Sequence, residues 1–203
     1  TSARPISVTA ELYRACPNIE NYDTAALRCV TEAGIEILFY TTLAVQGQTK
    51  LGPISRYYFE KATIFHDNGD DENFWVRFHD GTEKHYNEIP KSDRLQKLWD
   101  AVEAIRGGKK MACGISASIP HLLCVNGAQE SMPEIGSYPE LLLKTEGGSG
   151  NSKIYIIGIE DILMDCFNKA KLPNELGFSW SKPGKTIELR NYSHYPQYRC
   201  ESQ

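Results

Sequence analysis

Three short β-patterned segments in succession constrain the fold of this chain most. Residues 57–66, 73–79 and 83–86 are rich in β-branched and aromatic side chains, and the turn-forming sequences Asn68-Gly69-Asp70-Asp71 and Asp80-Gly81 separate them. Turns this short connect antiparallel strands. The sequence therefore predicts an antiparallel meander in the middle of the chain.

Further strands and about three helices are predicted around the meander. Alternating or continuous apolar residues predict strands, and apolar residues three and four apart predict helices. The predicted strands cover 6–14, 35–45 and 153–158, and the predicted helices cover 24–33, 92–107 and 159–170. The strand over 35–45 is expected to be central and covered on both faces, and 111–125 is expected to be irregular. The predicted fold class is α+β, an antiparallel or mixed sheet with about three packed helices.

Composition indicates one ordinary globular domain. The 203 residues are 41% hydrophobic and 24% charged, which is enough apolar material for a real core. We predict a single domain over residues 1–203, with a possible flexible joint at 147–152. A net charge of −4 provides no global attraction for nucleic acid, and no apolar run reaches the roughly 18 residues of a membrane span.

The six cysteines favour a disulfide framework. Their number is even and no Cys-x-x-Cys pair occurs; they are Cys16, Cys29, Cys113, Cys124, Cys166 and Cys200. Local spacing favours Cys16 with Cys29 and Cys113 with Cys124, which leaves Cys166 to pair with Cys200. Disulfides form in oxidising compartments, so we predict a secreted, disulfide-braced protein. The alternative is an intracellular protein with six reduced thiols.

The meander also carries the densest group of ionisable side chains, and we name His79, His85, Arg77 and Glu83 as catalytic candidates. Two proton-transfer groups beside a cation could cleave a phosphodiester without a metal, as in ribonuclease-like chemistry. The hairpin register decides whether they meet. A two-residue turn separates His79 from His85, whereas a three-residue loop over 80–82, which we prefer, places all four with Trp75 on one face. A merely solvated sheet face is the alternative interpretation.

A binding role is the leading functional hypothesis. The candidate binding residues are Trp75, Tyr192, Tyr195 and Tyr198, and no cofactor or metal is predicted. We predict a secreted, disulfide-stabilised interaction protein of the effector, toxin or virulence type that binds a host or surface partner. The alternatives are a secreted metal-free hydrolase that uses the hairpin residues, and an intracellular binding module with reduced cysteines.

Overall fold

The computed structural model describes residues 3–47, 52–67, 74–86, 94–108, 110–111, 114–148 and 152–197. The chain divides into two compact units: unit 1 comprises Thr1–Gly47 and Ala112–Gln203, and unit 2 comprises Gln48–Met111. Unit 2 is thus an insertion into the sequence of unit 1. The single domain predicted for residues 1–203 stays a prediction.

Unit 1 is built from a mixed sheet, a two-stranded ribbon and two α-helices. Its strands are β1 Pro5–Arg14, β2 Thr24–Thr31, β3 Glu36–Thr42, β8 Gly136–Ser137, β9 Leu143–Glu146, β10 Lys153–Ile156 and β11 Ile187–Glu188. Its helices are α2 Ile115–Ser131, α3 Ile159–Lys169 and the 3-10 helices Glu140–Leu142 and Pro173–Leu176.

The sheet of unit 1 has the order β11-β1-β2-β3, with β8 parallel to the end of β1 and the other pairs antiparallel. Helix α2 lies on one face, where the thiol of Cys124 meets that of Cys29 on β2. Helix α3 lies on the other face, where the Tyr40 hydroxyl of β3 donates to the Cys166 carbonyl at 3.2 Å. The sheet is therefore sandwiched between helical layers.

Strand β1 is the centre of the core of unit 1. Ala10, Leu12 and Tyr13 on this strand are fully buried, as are Ile156 and Ile159 at the junction of β10 and α3. Because β1 pairs on both sides and its two faces are covered, it buries apolar area on each face.

Unit 2 contains an antiparallel four-stranded sheet and one helix. Its strands, in the order β4-β5-β6-β7, are Ser55–Tyr58, Ala62–His66, Phe74–Phe78 and Glu83–Tyr86, and its helix α1 is Gln96–Ile105. The meander prediction is confirmed, although the first predicted segment contains two strands joined at 59–61. The turn at 68–71 and the first two residues of the helix predicted over 92–107 lie outside the described residues.

The α+β class is confirmed, and the structure contains antiparallel and mixed sheets and three helices. Two of the three, α1 and α3, were predicted, whereas α2 was not. The helix predicted over 24–33 is wrong, because Thr24–Thr31 form β2 and pair with β1 on one side and β3 on the other. The Asp23 carboxylate accepts the N–H groups of Ala15 and Cys16, at 2.9 and 2.8 Å. Asp23 thereby closes the turn between β1 and β2.

Helix α2 replaces the irregular segment predicted over 111–125. Apolar residues occur all around its circumference and Pro120 lies within it, so the sequence shows neither a stripe nor an uninterrupted helix pattern. Tertiary packing against β1 and β11 stabilises this helix instead.

The segment 35–45 is not the predicted central strand. It forms β3 at the edge of the sheet, and its side chains Ile37 and Phe39 are 49% and 51% exposed. None of the helices within the described residues has the length and hydropathy of a bilayer-spanning segment.

Candidate functional site

One cross-strand row on the unit 2 sheet gathers aromatic and cationic side chains. The register of the four strands aligns Arg56, Phe65, Trp75 and His85, one residue from each strand. Residues directly opposite each other in antiparallel strands project from the same face, so the four side chains form one row. We call this row the cationic stack.

The side chains of the cationic stack lie nearly parallel. The rings of Phe65 and Trp75 are 3.9 Å apart with an interplanar angle of 6°, and the rings of Trp75 and His85 are 5.9 Å apart at 17°. The Arg56 guanidinium lies 4.7 Å from the centre of the Phe65 ring. A guanidinium over an aromatic face is held by cation–π attraction, which stabilises the row across all four strands.

Arg77 extends the cationic stack to a second row and brings in one predicted carboxylate. Its guanidinium lies 4.9 Å from the Trp75 ring centre and donates to Glu83 Oε1 at 2.8 Å. His85 Nε2 lies 3.9 Å from the other oxygen of Glu83. Three of the four predicted catalytic residues, with Trp75, therefore lie together on one face.

The observed register differs from the preferred one by two residues. Arg77 pairs with Glu83, and the Phe78 N–H donates to the Thr82 carbonyl, so the loop is 79–81 rather than 80–82. A shift of two residues keeps each side chain on its face, which is why the predicted grouping survives. His79 lies in the turn, where its N–H donates to the Lys61 carbonyl at 2.9 Å. A catalytic role for these residues stays a prediction.

Asp67 completes the surface around the cationic stack and was missed by the sequence analysis. Its carboxylate forms an ion pair with Arg56 and accepts a hydrogen bond from Trp75 Nε1 at 3.3 Å. Desolvation would raise the pKa of Asp67, but the hydrogen bonds from Arg56 and Trp75 outweigh it, so this pKa is lowered. Asp67 thus stays ionised and fixes two members of the row. The contacts of Asp67 follow from the pairing of β4, β5 and β6, which the sequence does not specify.

A second polar centre is buried in unit 1. Glu11 is 1% exposed, and its carboxylate accepts the Tyr13 hydroxyl at 2.6 Å and the Asn174 N–H at 3.1 Å from both oxygens. Burial raises the pKa of Glu11 in spite of these hydrogen bonds. The Tyr13 hydroxyl also accepts the Lys182 N–H at 3.0 Å. These bonds join β1 to the Pro173–Leu176 helix and to the segment after it, which is a structural role.

The predicted tyrosine-rich binding segment is only partly a surface. Tyr192 is 6% exposed, and its hydroxyl donates to the Glu130 carboxylate of α2. Glu130 also accepts the Gln197 N–H at 2.6 Å, so this carboxylate holds the chain near its C-terminal end against α2. Tyr195 is 53% exposed, and Tyr198 lies outside the described residues.

The predicted disulfide bracing is not supported. The four described cysteines, Cys16, Cys29, Cys124 and Cys166, carry free thiols, and Cys113 and Cys200 lie outside the described residues. Cys29 and Cys124, which were assigned to different pairs, lie opposite each other with their sulfurs 3.5 Å apart. Helix α2 causes this arrangement, because it places Cys124 over β2.

An exposed apolar surface runs along the face of unit 1 that carries α2. Cys29 pairs with Ile37 across β2 and β3, so Ile37 lies on that face, as does Phe39 two residues further along β3. On α2 itself, Ile115, Ile119 and Leu122 are exposed. Exposed apolar side chains on one face of a domain are candidates for a contact surface.

No protein-family model and no curated protein matches the sequence. Solved structures do match the fold. An oxidoreductase from Agrobacterium radiobacter, solved with NAD+, L-tartaric acid and magnesium, has a TM-score of 0.54 and 16% identity over 64% of this chain and 42% of its own. The UDP-N-acetylglucosamine 3-dehydrogenase GnnA from Acidithiobacillus ferrooxidans has a TM-score of 0.52 and 16% identity over 63% of this chain and 40% of its own. The chain therefore spans about two fifths of the length of these oxidoreductases.

These findings correct the functional hypothesis. The prediction of a secreted interaction protein of the effector, toxin or virulence type is wrong, because the fold is one found in oxidoreductase chains. The predicted secretion is wrong for the same reason, and the disulfides from which it was inferred are absent from the four described cysteines. The alternative of a secreted metal-free hydrolase is wrong for the same reason.

Proposed function

We propose that this chain is part of a nicotinamide-dependent oxidoreductase that interconverts a secondary alcohol and a ketone on a polyhydroxylated substrate. The observation that carries the proposal is the match of its fold to two oxidoreductases at TM-scores of 0.54 and 0.52. Fold similarity by itself does not assign chemistry. The proposal therefore draws on what those two proteins have in common.

The small molecules named for the two matched proteins favour one reaction class. L-Tartaric acid and UDP-N-acetylglucosamine, named for the two proteins, both carry secondary hydroxyl groups next to other oxygenated carbons. A nicotinamide, when bound, would supply the hydride acceptor for oxidation of such a group to a ketone. We accordingly propose a polar, hydroxylated substrate rather than an apolar one.

The proposal does not place the pyrophosphate of the cofactor on this chain. Its sequence contains no Gly-x-Gly-x-x-Gly motif, which holds a dinucleotide where a strand turns into a helix. The unit β10-α3 has that order of elements, but Glu160 and Asp161 occupy the first helical turn. Carboxylates there repel a phosphate that the helix N-terminus would otherwise attract. We assign to this chain the sheet and helices beside the reacting substrate.

The exposed apolar surface of unit 1 is consistent with an enzyme in which another part of the protein binds the cofactor. This surface consists of Ile37, Phe39 and the exposed residues of α2, and it is open to water. Packing against another part of an enzyme would bury these apolar side chains and stabilise the fold. The surface is apolar, so it favours a lasting contact rather than a transient one.

Spectroscopic measurement of nicotinamide reduction tests the proposal. The protein, produced from its complete gene, is incubated with NAD+ or NADP+ and with L-tartrate, other 2-hydroxy acids or nucleotide sugars. We expect formation of reduced nicotinamide with at least one of these substrates. No reduction with any secondary alcohol of these classes would overturn the proposal.

Two glycine variants show whether any activity depends on this chain. A Cβ at Gly184 would lie 1.9 Å from the Ala10 carbonyl oxygen, whereas a Cβ at Gly148 has no atom within 4 Å. We expect G184A to lose activity on mild heating and G148A to behave like the parent. A G184A variant that is destabilised and yet keeps the activity of the parent after heating would contradict a role for unit 1.

A binding role for Trp75 and Tyr195 stays a separate proposal. Tyr195 is exposed and Trp75 is partly buried. Trp75 is also the centre of the cationic stack. If Trp75 contacts a substrate, W75A raises KM more than W99A does, because Trp99 on α1 is about half exposed and lies outside the stack. Equal KM values in the two variants would argue against this role.

A further inference from the structure

Two thiols of unit 1 are in contact across the sheet and helix. Cys29 projects from β2 and Cys124 from the middle of α2, and their sulfur atoms are 3.5 Å apart. No contact between sulfurs of this kind is seen elsewhere among the described cysteines. The pair is separated by 95 residues in the sequence, so the fold of unit 1 creates it.

The two thiols differ in their surroundings. Cys29 is 3% exposed and lies between Val8 of β1 and Ile37 of β3 in the cross-strand register. Cys124 is only partly buried, so it is the more exposed residue of the pair. The hydrogen bond between the two lowers the pKa of Cys124 and, with burial, raises that of Cys29. The Cys124 sulfur is thus the more nucleophilic one at neutral pH.

We propose that Cys124 is a site of oxidative modification by peroxide, and that Cys29 resolves the product into a disulfide between β2 and α2. The resting state is the dithiol that the structure contains. This inference does not depend on the proposed oxidoreductase function, because it involves neither a nicotinamide nor the substrate.

The chemistry proceeds in two balanced steps. The Cys124 thiolate attacks one oxygen of hydrogen peroxide, so that an S–O bond forms, the O–O bond breaks, and hydroxide leaves and is protonated to water. The Cys29 sulfur then attacks the Cys124 sulfur, so that an S–S bond forms, the S–O bond breaks, and the Cys29 proton leaves with the hydroxyl as a second water. Two thiols are oxidised, and one peroxide is reduced to two waters.

The cross-link would close a ring that contains the whole of unit 2. Residues 48–111 lie between Cys29 and Cys124 in the sequence. A link between these positions therefore joins α2, which follows the insertion in the sequence, to β2, which precedes it. The two sequence segments of unit 1 are then covalently tied to each other.

Peptide mapping of the peroxide-treated chain tests the inference. The reduced protein is treated with one equivalent of hydrogen peroxide, remaining thiols are blocked, and proteolytic peptides are analysed by mass spectrometry. We expect a peptide pair linked through Cys29 and Cys124 that a dithiol reductant separates. Linkage of either residue to Cys16, Cys113, Cys166 or Cys200 instead, or no linkage, would overturn it.

Single-cysteine variants assign the order of the two steps. In C29A, which keeps an apolar side chain at the buried position, we expect Cys124 to stop at the sulfenic acid and to be labelled by dimedone. In C124A we expect neither the linkage nor dimedone labelling at Cys29. C16A is the matched control, because Cys16 is a free, partly buried thiol with no role in the pair; it should still form the link. Dimedone labelling of Cys29 in C124A would contradict the assigned roles.

Discussion

At the scale of single residues, Gly184 occupies a position where no side chain fits. Its segment crosses β1 and the end of α2, where the Ser131 hydroxyl donates to the Lys185 carbonyl at 2.6 Å and accepts the Ala10 N–H at 2.8 Å. The Lys185 N–H donates to the Ser131 carbonyl at 2.8 Å. These hydrogen bonds hold β1, the end of α2 and the segment that contains Gly184 against one another.

We expect G184A to destabilise the chain by about 3 kcal/mol or more, because overpacking against backbone forces the network apart. The added Cβ would lie 1.9 Å from the Ala10 carbonyl oxygen and 2.6 Å from Ser131 Oγ. Urea unfolding measures the change, and G148A provides the control, since a Cβ there meets open space. A G184A midpoint within error of the G148A midpoint would refute the close approach.

The charged residues show the same dependence on distant partners. A glutamate is expected to face solvent, yet Glu11 is buried between Tyr13 and the backbone of Asn174. Arg77 and Glu83 were expected together from their positions in the hairpin, and they form an ion pair. Local pairs follow from the sequence, whereas Glu11 depends on a segment more than 160 residues away.

At the scale of elements, helix α2 packs on β1 through a glycine. Gly127 lies in the interior of the helix, where alanine would ordinarily be favourable by about 1 kcal/mol. A Cβ at this position would lie 2.5 Å from Val8 Cγ1 and 3.0 Å from Leu189 Cδ2. The glycine therefore sets how closely the helix approaches the sheet.

We expect G127A to lower the free energy of unfolding by about 1–3 kcal/mol, the reverse of its effect in an isolated helix. Shortening Val8 should relieve the clash, so V8A and G127A together should cost less than the sum of the two single changes. Chemical denaturation of the parent and the three variants gives the coupling energy. Strict additivity would show that Val8 and Gly127 do not meet.

Unit 2 shows how far an element can be predicted without its register. The alternation of Phe74, Trp75, Val76 and Arg77 assigns each side chain to a face, and the structure agrees. The cationic stack also needs Arg56 and Phe65 from two further strands, and their alignment depends on hydrogen bonds between strands. Only the assembled sheet specifies that alignment.

At the scale of the whole molecule, Arg28 ties the sheet of unit 1 to its helical layer. Its guanidinium donates to both oxygens of Glu175, at 2.6 and 2.9 Å, and forms an ion pair with Glu36 of β3 at 3.1 Å. The hydrogen bond from Arg28 lowers the pKa of Glu175 below its ordinary value near 4.5. Ionised Glu175 is therefore favoured in the folded chain.

The pH dependence of stability follows from this shift. A carboxyl group whose pKa is lower when folded stabilises the fold above its unfolded pKa, and this contribution is lost as pH falls through the folded pKa. We expect E175Q to be less stable than the parent by about 0.5–1 kcal/mol at neutral pH, since the pair is partly exposed. The difference should decrease as the pH falls below the ordinary glutamate pKa near 4.5 and through the lower folded pKa.

Thermal unfolding of the parent and E175Q across this pH range provides the measurement. E188Q is the control, because the Glu188 carboxylate is largely exposed and pairs at 3.4 Å with Arg190, two residues further along the chain. A deficit in E175Q that persists unchanged in acid would show that the ion pair is not its cause.

The sequence by itself determined the features that neighbouring residues control. These are the α+β class, the strands β1 and β10, the helices α1 and α3, and the faces of the β6-β7 hairpin, all of which follow from side-chain periodicity and turn residues. Tertiary structure alone decided that 24–31 is a strand, that 115–131 is a helix, that β3 lies at an edge, and that Cys29 meets Cys124. The helix and the thiol contact depend on partners far away in the chain. The strand over 24–31 and the edge position of β3 depend on which strands pair, and that pairing energy outweighs local propensity.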